Sequence, residues 1–92
     1  MGVTLEGFLR CASEDEAARV RAALPEHVQL TRAEPGCIRF DVTPTDDPLV
    51  WAVSEEFVDP AAFEAHQARA CASDWARETQ GIARDYTVTG VP

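Results

Sequence analysis

The chain has 92 residues, which is room for one core and no second module. A content of 46% hydrophobic and 26% charged residues is that of a folding globular chain and excludes disorder. Sixteen acids face eight bases, every base is an arginine, and the arginines form no stripe, so the formal charge of −8 argues against nucleic acid as a partner.

Residues 3–11 place Val3, Leu5, Leu9 and Cys11 on odd positions, with Gly7 interrupting the row, and predict a half-buried first strand. Ser13-Glu14-Asp15-Glu16 is a capping box, in which the Ser13 hydroxyl accepts from the Glu16 amide while the Glu16 side chain reaches back to the Ser13 amide. The helix it opens continues one face through Ala17, Val20, Leu24, His27 or Val28, and Thr31. Pro25 removes an amide donor, which predicts a kink or a restart near Leu24-Pro25.

Glu34-Pro35-Gly36 ends that helix, since Pro35 cannot continue it and Gly36 tolerates a sharp exit. Residues 37–43 then set Ile38, Phe40 and Val42 on one side and Arg39, Asp41 and Thr43 on the other, a second strand. Beyond the Pro44-Thr45-Asp46-Asp47-Pro48 turn, residues 49–57 read as a third strand that is apolar on both faces. Leu49, Trp51, Val53 and Phe57 form one face, and Val50 and Ala52 belong to the other. Asp59-Pro60 supplies a cap and a first-turn proline for a second helix, on which Phe63, His66 and Ala70 share a face. Ser73-Asp74-Trp75 restarts a short helix that ends before Gly81, and residues 82–90 form a last strand with Tyr86 and Val88 on one side.

This βαββαβ order folds most simply as one α+β domain over residues 1–92, a four-stranded antiparallel sheet with both helices on one face. The opposite face would then expose an apolar patch, which a second copy of the chain would cover at roughly 25 cal/mol per Å². A domain of this size buries only about 60–65% of its unfolded surface, which leans the same way, towards a homodimer. Met1-Gly2-Val3-Thr4-Leu5-Glu6 lacks a basic region followed by an apolar run, and no segment approaches ~18 continuous apolar residues, so a soluble cytoplasmic protein without a membrane partner is expected. Cys11, Cys37 and Cys71 are odd in number and never in a Cys-x-x-Cys pair, which fits reduced, half-buried thiols. The two histidines have no metal-ligand spacing, so no metal site is expected, and neither Gly-x-Ser-x-Gly nor a phosphate-cradling loop occurs.

Three landmarks carry a likeness: Thr31-Arg32-Ala33-Glu34-Pro35-Gly36-Cys37, then Glu55 two residues before Phe57, then Ala65-His66 eleven residues after Glu55. With them the chain resembles the antibiotic biosynthesis monooxygenase family, also described as quinol monooxygenases, from about Val3 to Thr89. The resemblance implies a ferredoxin-like fold assembled as a dimeric α/β barrel. It also implies oxidation of a small phenolic or hydroquinone-type aromatic by dioxygen without flavin, haem, metal or other cofactor. The family's Glu-x-Trp is Glu55-Glu56-Phe57 here, so an indole is missing at that point, with Trp51 or Trp75 as substitutes. Haem-degrading relatives on this fold rely on an Asn, a Trp and a His, and this chain contains no Asn.

Such a reaction needs a pocket that excludes water, a group to take the phenolic proton, and donors for the oxygenated anion. His66 titrates near neutrality, sits in the Phe63 row and corresponds to the family's histidine, which makes it a catalytic candidate; the alternative is a rim residue tying helix to sheet. Glu55 falls in the apolar row of the third strand and needs a partner, for which His66, Arg39 and Arg84 are available; it is either catalytic or a structural ion pair. Trp51, Trp75, His27, Arg39 and Tyr86 are candidates for the pocket lining, with a core role as the alternative for the aromatics and His27. Beside the enzyme stands a second expectation, a non-catalytic dimeric barrel that binds or senses a small apolar ligand.

Overall fold

Period-two alternation builds one sheet, as the computed structural model, which describes residues 2–91, makes plain. Strands β1 (Val3–Arg10), β2 (Cys37–Pro44), β3 (Val50–Phe57) and β4 (Ala83–Thr89) pair antiparallel in the order β2-β3-β1-β4. Helix α1 (Glu14–Arg32) joins β1 to β2, while α2 (Pro60–Cys71) and the short α3 (Asp74–Glu78) join β3 to β4, which is the ferredoxin-like βαββαβ order. Inward residues of β3, namely Trp51, Val53, Glu55 and Phe57, are buried, and Val50, Ala52, Ser54 and Glu56 between them are half-buried. On β1 the buried row is Val3, Leu5 and Leu9. The helices cover this inner face, and Ala17 and Val20 of α1 share one cluster with Leu5, Leu9, Trp51, Val53 and Ile82.

Gly7 lies mid-strand between Val53 on β3 and Tyr86 on β4. A Cβ there would stand 2.0 Å from the Asp85 carbonyl oxygen, so a side chain would part β1 from β4. The Ser13 hydroxyl caps α1 by accepting from the Glu16 amide at 3.3 Å, but the Glu16 carboxylate accepts from the amide of Ala12, one residue before the position the capping box implies. At Pro25, α1 is not interrupted: it runs as a single 19-residue helix, held to the sheet on both sides of the proline by Ala17, Val20, His27 and Thr31.

In β2 the expected clean alternation fails at one place. The pairing steps from Cys37 opposite Phe57 to Arg39 opposite Glu56, a bulge that leaves Ile38 as the extra residue and 55% exposed. Phe40 and Val42, beyond the bulge, face the interior opposite Glu55 and Val53 as expected. The outer face of the sheet, which the helices leave uncovered, is also more polar than β3 implies on its own. Arg39 binds Ser54 Oγ at 3.0 Å, Glu56 Oε1 at 2.9 Å and Glu6 Oε2 at 3.3 Å across three strands, and Phe8, 40% exposed, is the large apolar residue beside them.

Candidate active site

Between the inner face of the sheet and the helices lies a cavity of about 380 Å³, large enough for a small aromatic molecule. Its floor is Leu5, Val53, Glu55, Arg84 and Tyr86 from the strands, its β2 wall is Phe40 and Val42, and its roof is His27, His66 and Trp75 from the helices. Glu55 and His66 meet here because each follows the inward period of its own element: every second residue on β3, and every third or fourth on α2.

His66 is 3% exposed and is the buried residue of α2. Its Nδ1 lies 3.0 Å from Glu34 Oε1, and its Nε2 lies 3.8 Å from Glu55 Oε1. The other oxygen of Glu34 accepts from Arg69 Nε, and Arg69 Nη2 donates to the fully buried Thr31 hydroxyl at 2.9 Å. The imidazole is packed among rings, with Phe57 at 4.9 Å, Phe40 at 5.7 Å and His27 at 5.9 Å between centroids. Burial lowers the His66 pKa from its ordinary value, against the raising effect of Glu34.

Glu55 is 6% exposed, and its Oε1 has no hydrogen-bond partner among the described residues. Burial, with the negative charges of Glu34 and Glu6 adding to it, pushes the Glu55 carboxyl up to about 7. A carboxyl that titrates at neutrality beside a histidine in an apolar cavity is an arrangement suited to proton transfer. His27 is driven down to about 3, mainly by burial and then by His66, so it is a neutral ring at physiological pH. It stacks flat on Trp75, with centroids 4.6 Å apart and planes at 2°, and the two form an aromatic wall. Burial also raises Tyr86 to about 12, so its phenol remains a hydroxyl.

Of the residues singled out from the sequence, His66, Glu55, His27, Trp75 and Tyr86 share this cavity, and two do not reach it. Trp51 points inward, but opposite Leu9 and Pro44, at the end of the sheet that the core cluster fills; it packs and does not line. Arg39 stands on the outer face, bound to Ser54, Glu56 and Glu6, and therefore cannot pair with Glu55. Arg84 does line the cavity, yet its guanidinium donates to the carbonyl oxygens of Thr79 at 3.1 Å and Ile82 at 2.8 Å and to the Thr79 hydroxyl at 2.7 Å, which leaves His66 as the group nearest Glu55. Two residues at the site were not anticipated, Glu34 and Arg69. Glu34 belongs to the helix-ending turn, where no periodicity marks a side chain's direction, whereas Arg69 stands one helical turn after His66, a spacing that could have pointed to it.

Residues 3–78 match the family model described as antibiotic biosynthesis monooxygenase. Among solved structures, a protein of Nitrosomonas europaea described by the same family name superposes with a TM-score of 0.80 at 23% identity, covering 99% of this chain and 98% of that one. Rv0793 from Mycobacterium tuberculosis matches with a TM-score of 0.76 at 20% identity, over 100% and 95% of the two chains. SnoaB from Streptomyces nogalater, a cofactor-independent oxygenase, matches with a TM-score of 0.78 at 13% identity over 99% and 93%. At these identities the likeness shows a shared fold. No curated protein matches the sequence.

Proposed function

Because the chain belongs to the antibiotic biosynthesis monooxygenase family, we propose that it oxidises a small phenolic or hydroquinone-type aromatic with dioxygen, in the cavity under His66 and without a bound cofactor. The observation that carries this reading is the pairing of Glu55 with His66 in that cavity: a carboxyl raised to about 7, with Nε2 of a buried histidine 3.8 Å away. SnoaB, of the same fold, is a cofactor-independent oxygenase.

In this reading the substrate ring lies along the His27–Trp75 wall, and the ionised Glu55 takes the phenolic proton, sharing it with His66. The phenolate passes one electron to dioxygen, and the resulting radical pair combines at an activated ring carbon. The peroxide anion so formed takes back the proton held at Glu55, and the hydroperoxide then loses the C–H proton and expels hydroxide as water, leaving a carbonyl. One oxygen atom ends in the product and the other in water, and the C–H and O–H bonds of the substrate supply all four electrons. Tyr86, kept protonated by burial, is the donor available to the oxygenated anion.

The same reading pairs the chain with a second copy laid over the outer sheet face, where Phe8 is exposed and the Arg39 network presents both signs of charge. Sedimentation at micromolar concentration gives twice the monomer mass if this holds and a folded lone subunit if it does not. The three free thiols suit a reducing compartment such as the cytoplasm, and no helix among the described residues is long and apolar enough to cross a membrane.

Oxygen consumption by the purified protein with a panel of hydroquinones tests the chemistry. The expected result is uptake above the buffer rate that falls by about 10²-fold or more in His66→Ala. Uptake at the background rate in both proteins refutes the proposal for those substrates and favours a ligand-binding barrel.

A further inference from the structure

We propose that Glu34, locked in place by Arg69, is a positioning residue that fixes His66 as its Nδ1–H tautomer and so turns the lone pair of Nε2 towards Glu55. The proposal takes the site described above as its setting, but it concerns the placement of a proton and holds whether or not a particular substrate is oxidised.

Gly36 has φ +91°, and a Cβ there would lie 2.7 Å from Ala62 Cβ and 3.0 Å from Val58 Cγ2, so Glu34-Pro35-Gly36 can sit this tightly against the start of α2 only with glycine at its end. The Val58 amide donates to the Gly36 carbonyl at 2.8 Å, and the Cys37 amide to that of Glu34 at 3.2 Å. These bonds bring the Glu34 carboxylate, 16% exposed, between the two α2 residues His66 and Arg69.

A carboxylate has only acceptors, and a guanidinium has only donors. Arg69 Nε therefore donates to Glu34 Oε2, and the contact of 3.0 Å between Glu34 Oε1 and His66 Nδ1 is a hydrogen bond only if Nδ1 carries the proton. The Arg69 bond to the buried Thr31 hydroxyl stops the clamp from rotating away. A neutral imidazole with its proton on Nδ1 presents a bare lone pair at Nε2, and that atom faces Glu55 Oε1. A lone pair repels an ionised carboxylate and accepts from a protonated one, so this tautomer favours the acid form of Glu55. The charged and titratable groups turned towards Glu55 from the surrounding elements are His66 from α2, His27 from α1, Glu34 from the turn, and Tyr86 and Arg84 from β4, with Glu6 acting from β1.

Replacing Glu34 by Gln makes a prediction specific to this account. Arg69 can bond only to the amide oxygen, which leaves the NH₂ group facing His66 Nδ1. That nitrogen must then accept, the proton moves to Nε2, and Nε2–H points at Glu55 as a donor to its ionised form. The size and packing of the side chain are almost unchanged.

The test is ¹⁵N NMR of the histidine ring nitrogens in the full chain, with His66→Gln identifying the His66 signals by their loss, together with ¹³C titration of the Glu55 carboxyl. In the wild type the expected state of His66 is neutral with the proton on Nδ1. In Glu34→Gln the proton is found on Nε2; the Glu55 midpoint falls too, but loss of the Glu34 charge lowers it whichever tautomer is present, so the tautomer is the deciding readout. A wild-type His66 protonated on Nε2, or a Glu34→Gln protein with the tautomer unchanged, overturns the proposal. The wild-type spectrum decides by itself if Glu34→Gln does not fold. Because neither readout uses turnover, failure of the positioning role and failure of the oxygenase reading are separately visible.

Discussion

Replacing Glu55 by Gln should flatten the pH dependence of stability on the alkaline side. A carboxyl whose folded pKa is raised from 4.5 to about 7 stabilises the folded chain most fully below 4.5 and loses that contribution as pH rises through 7. At 1.36 kcal/mol per pH unit, Glu55 costs the folded state about 2–3 kcal/mol between pH 5 and pH 8.5. Gln keeps the shape of the protonated acid, and its NH₂ can donate to the lone pair of His66 Nε2, so the variant carries none of this cost. The assay is urea unfolding of both proteins at pH 5 and pH 8.5 under matched salt. The difference between the two pH values, taken between the two proteins, cancels His27 and every other group they share. A double difference of about 2–3 kcal/mol in favour of the variant at pH 8.5 is expected. Parallel pH profiles for the two proteins would refute the idea that Glu55 is a buried carboxyl held near its neutral form.

Other consequences follow from individual residues. His27, lowered from 6.5 to about 3, contributes stability that is present above 6.5 and lost as pH falls towards 3, so His27→Phe should recover about 3 kcal/mol of acid destabilisation between pH 7 and pH 4, read by unfolding at each pH. Gly7→Ala drives a Cβ to 2.0 Å from the Asp85 carbonyl oxygen, and thermal melting should show the midpoint lowered by roughly 10 °C or more. Arg39→Ala, on the far side of the sheet from the cavity, should weaken self-association in sedimentation, and any change it makes to the Glu55 midpoint in ¹³C NMR should be upward, because Glu6 loses the cation that offsets its charge.

How much of this could be read from the residues depends on what periodicity encodes. Alternation identifies a face, so β3 was legible as a strand with Trp51, Val53, Glu55 and Phe57 turned inward, and the caps at Ser13, Asp59 and Ser73 mark the helix starts. Alternation does not identify position along the sheet. Trp51 and Glu55 share a face, yet one is sealed in the core and the other opens on the cavity, because the helices fill the space above Trp51 and leave a gap above Glu55. For Arg39 the pattern was sufficient, since it lies on the opposite side from Phe40 and Val42; its proposed part in the pocket ran against that pattern. Ile38 was misplaced because a bulge adds a residue without a compositional mark. Glu34 is legible only as part of the turn that ends α1, because its role at the site arises from that turn docking on α2, a contact between elements that no local spacing encodes.

The dependence of kcat/KM on pH tests the central role of Glu55 most directly, measured by oxygen uptake with a hydroquinone whose own ionisation lies near 10. The account predicts a rate that climbs to a plateau through an apparent pKa of about 7 in the wild type, and a Glu55→Gln protein that lacks this limb and is slower throughout. A wild-type profile without a limb near neutrality, or the same limb persisting in Glu55→Gln, contradicts it.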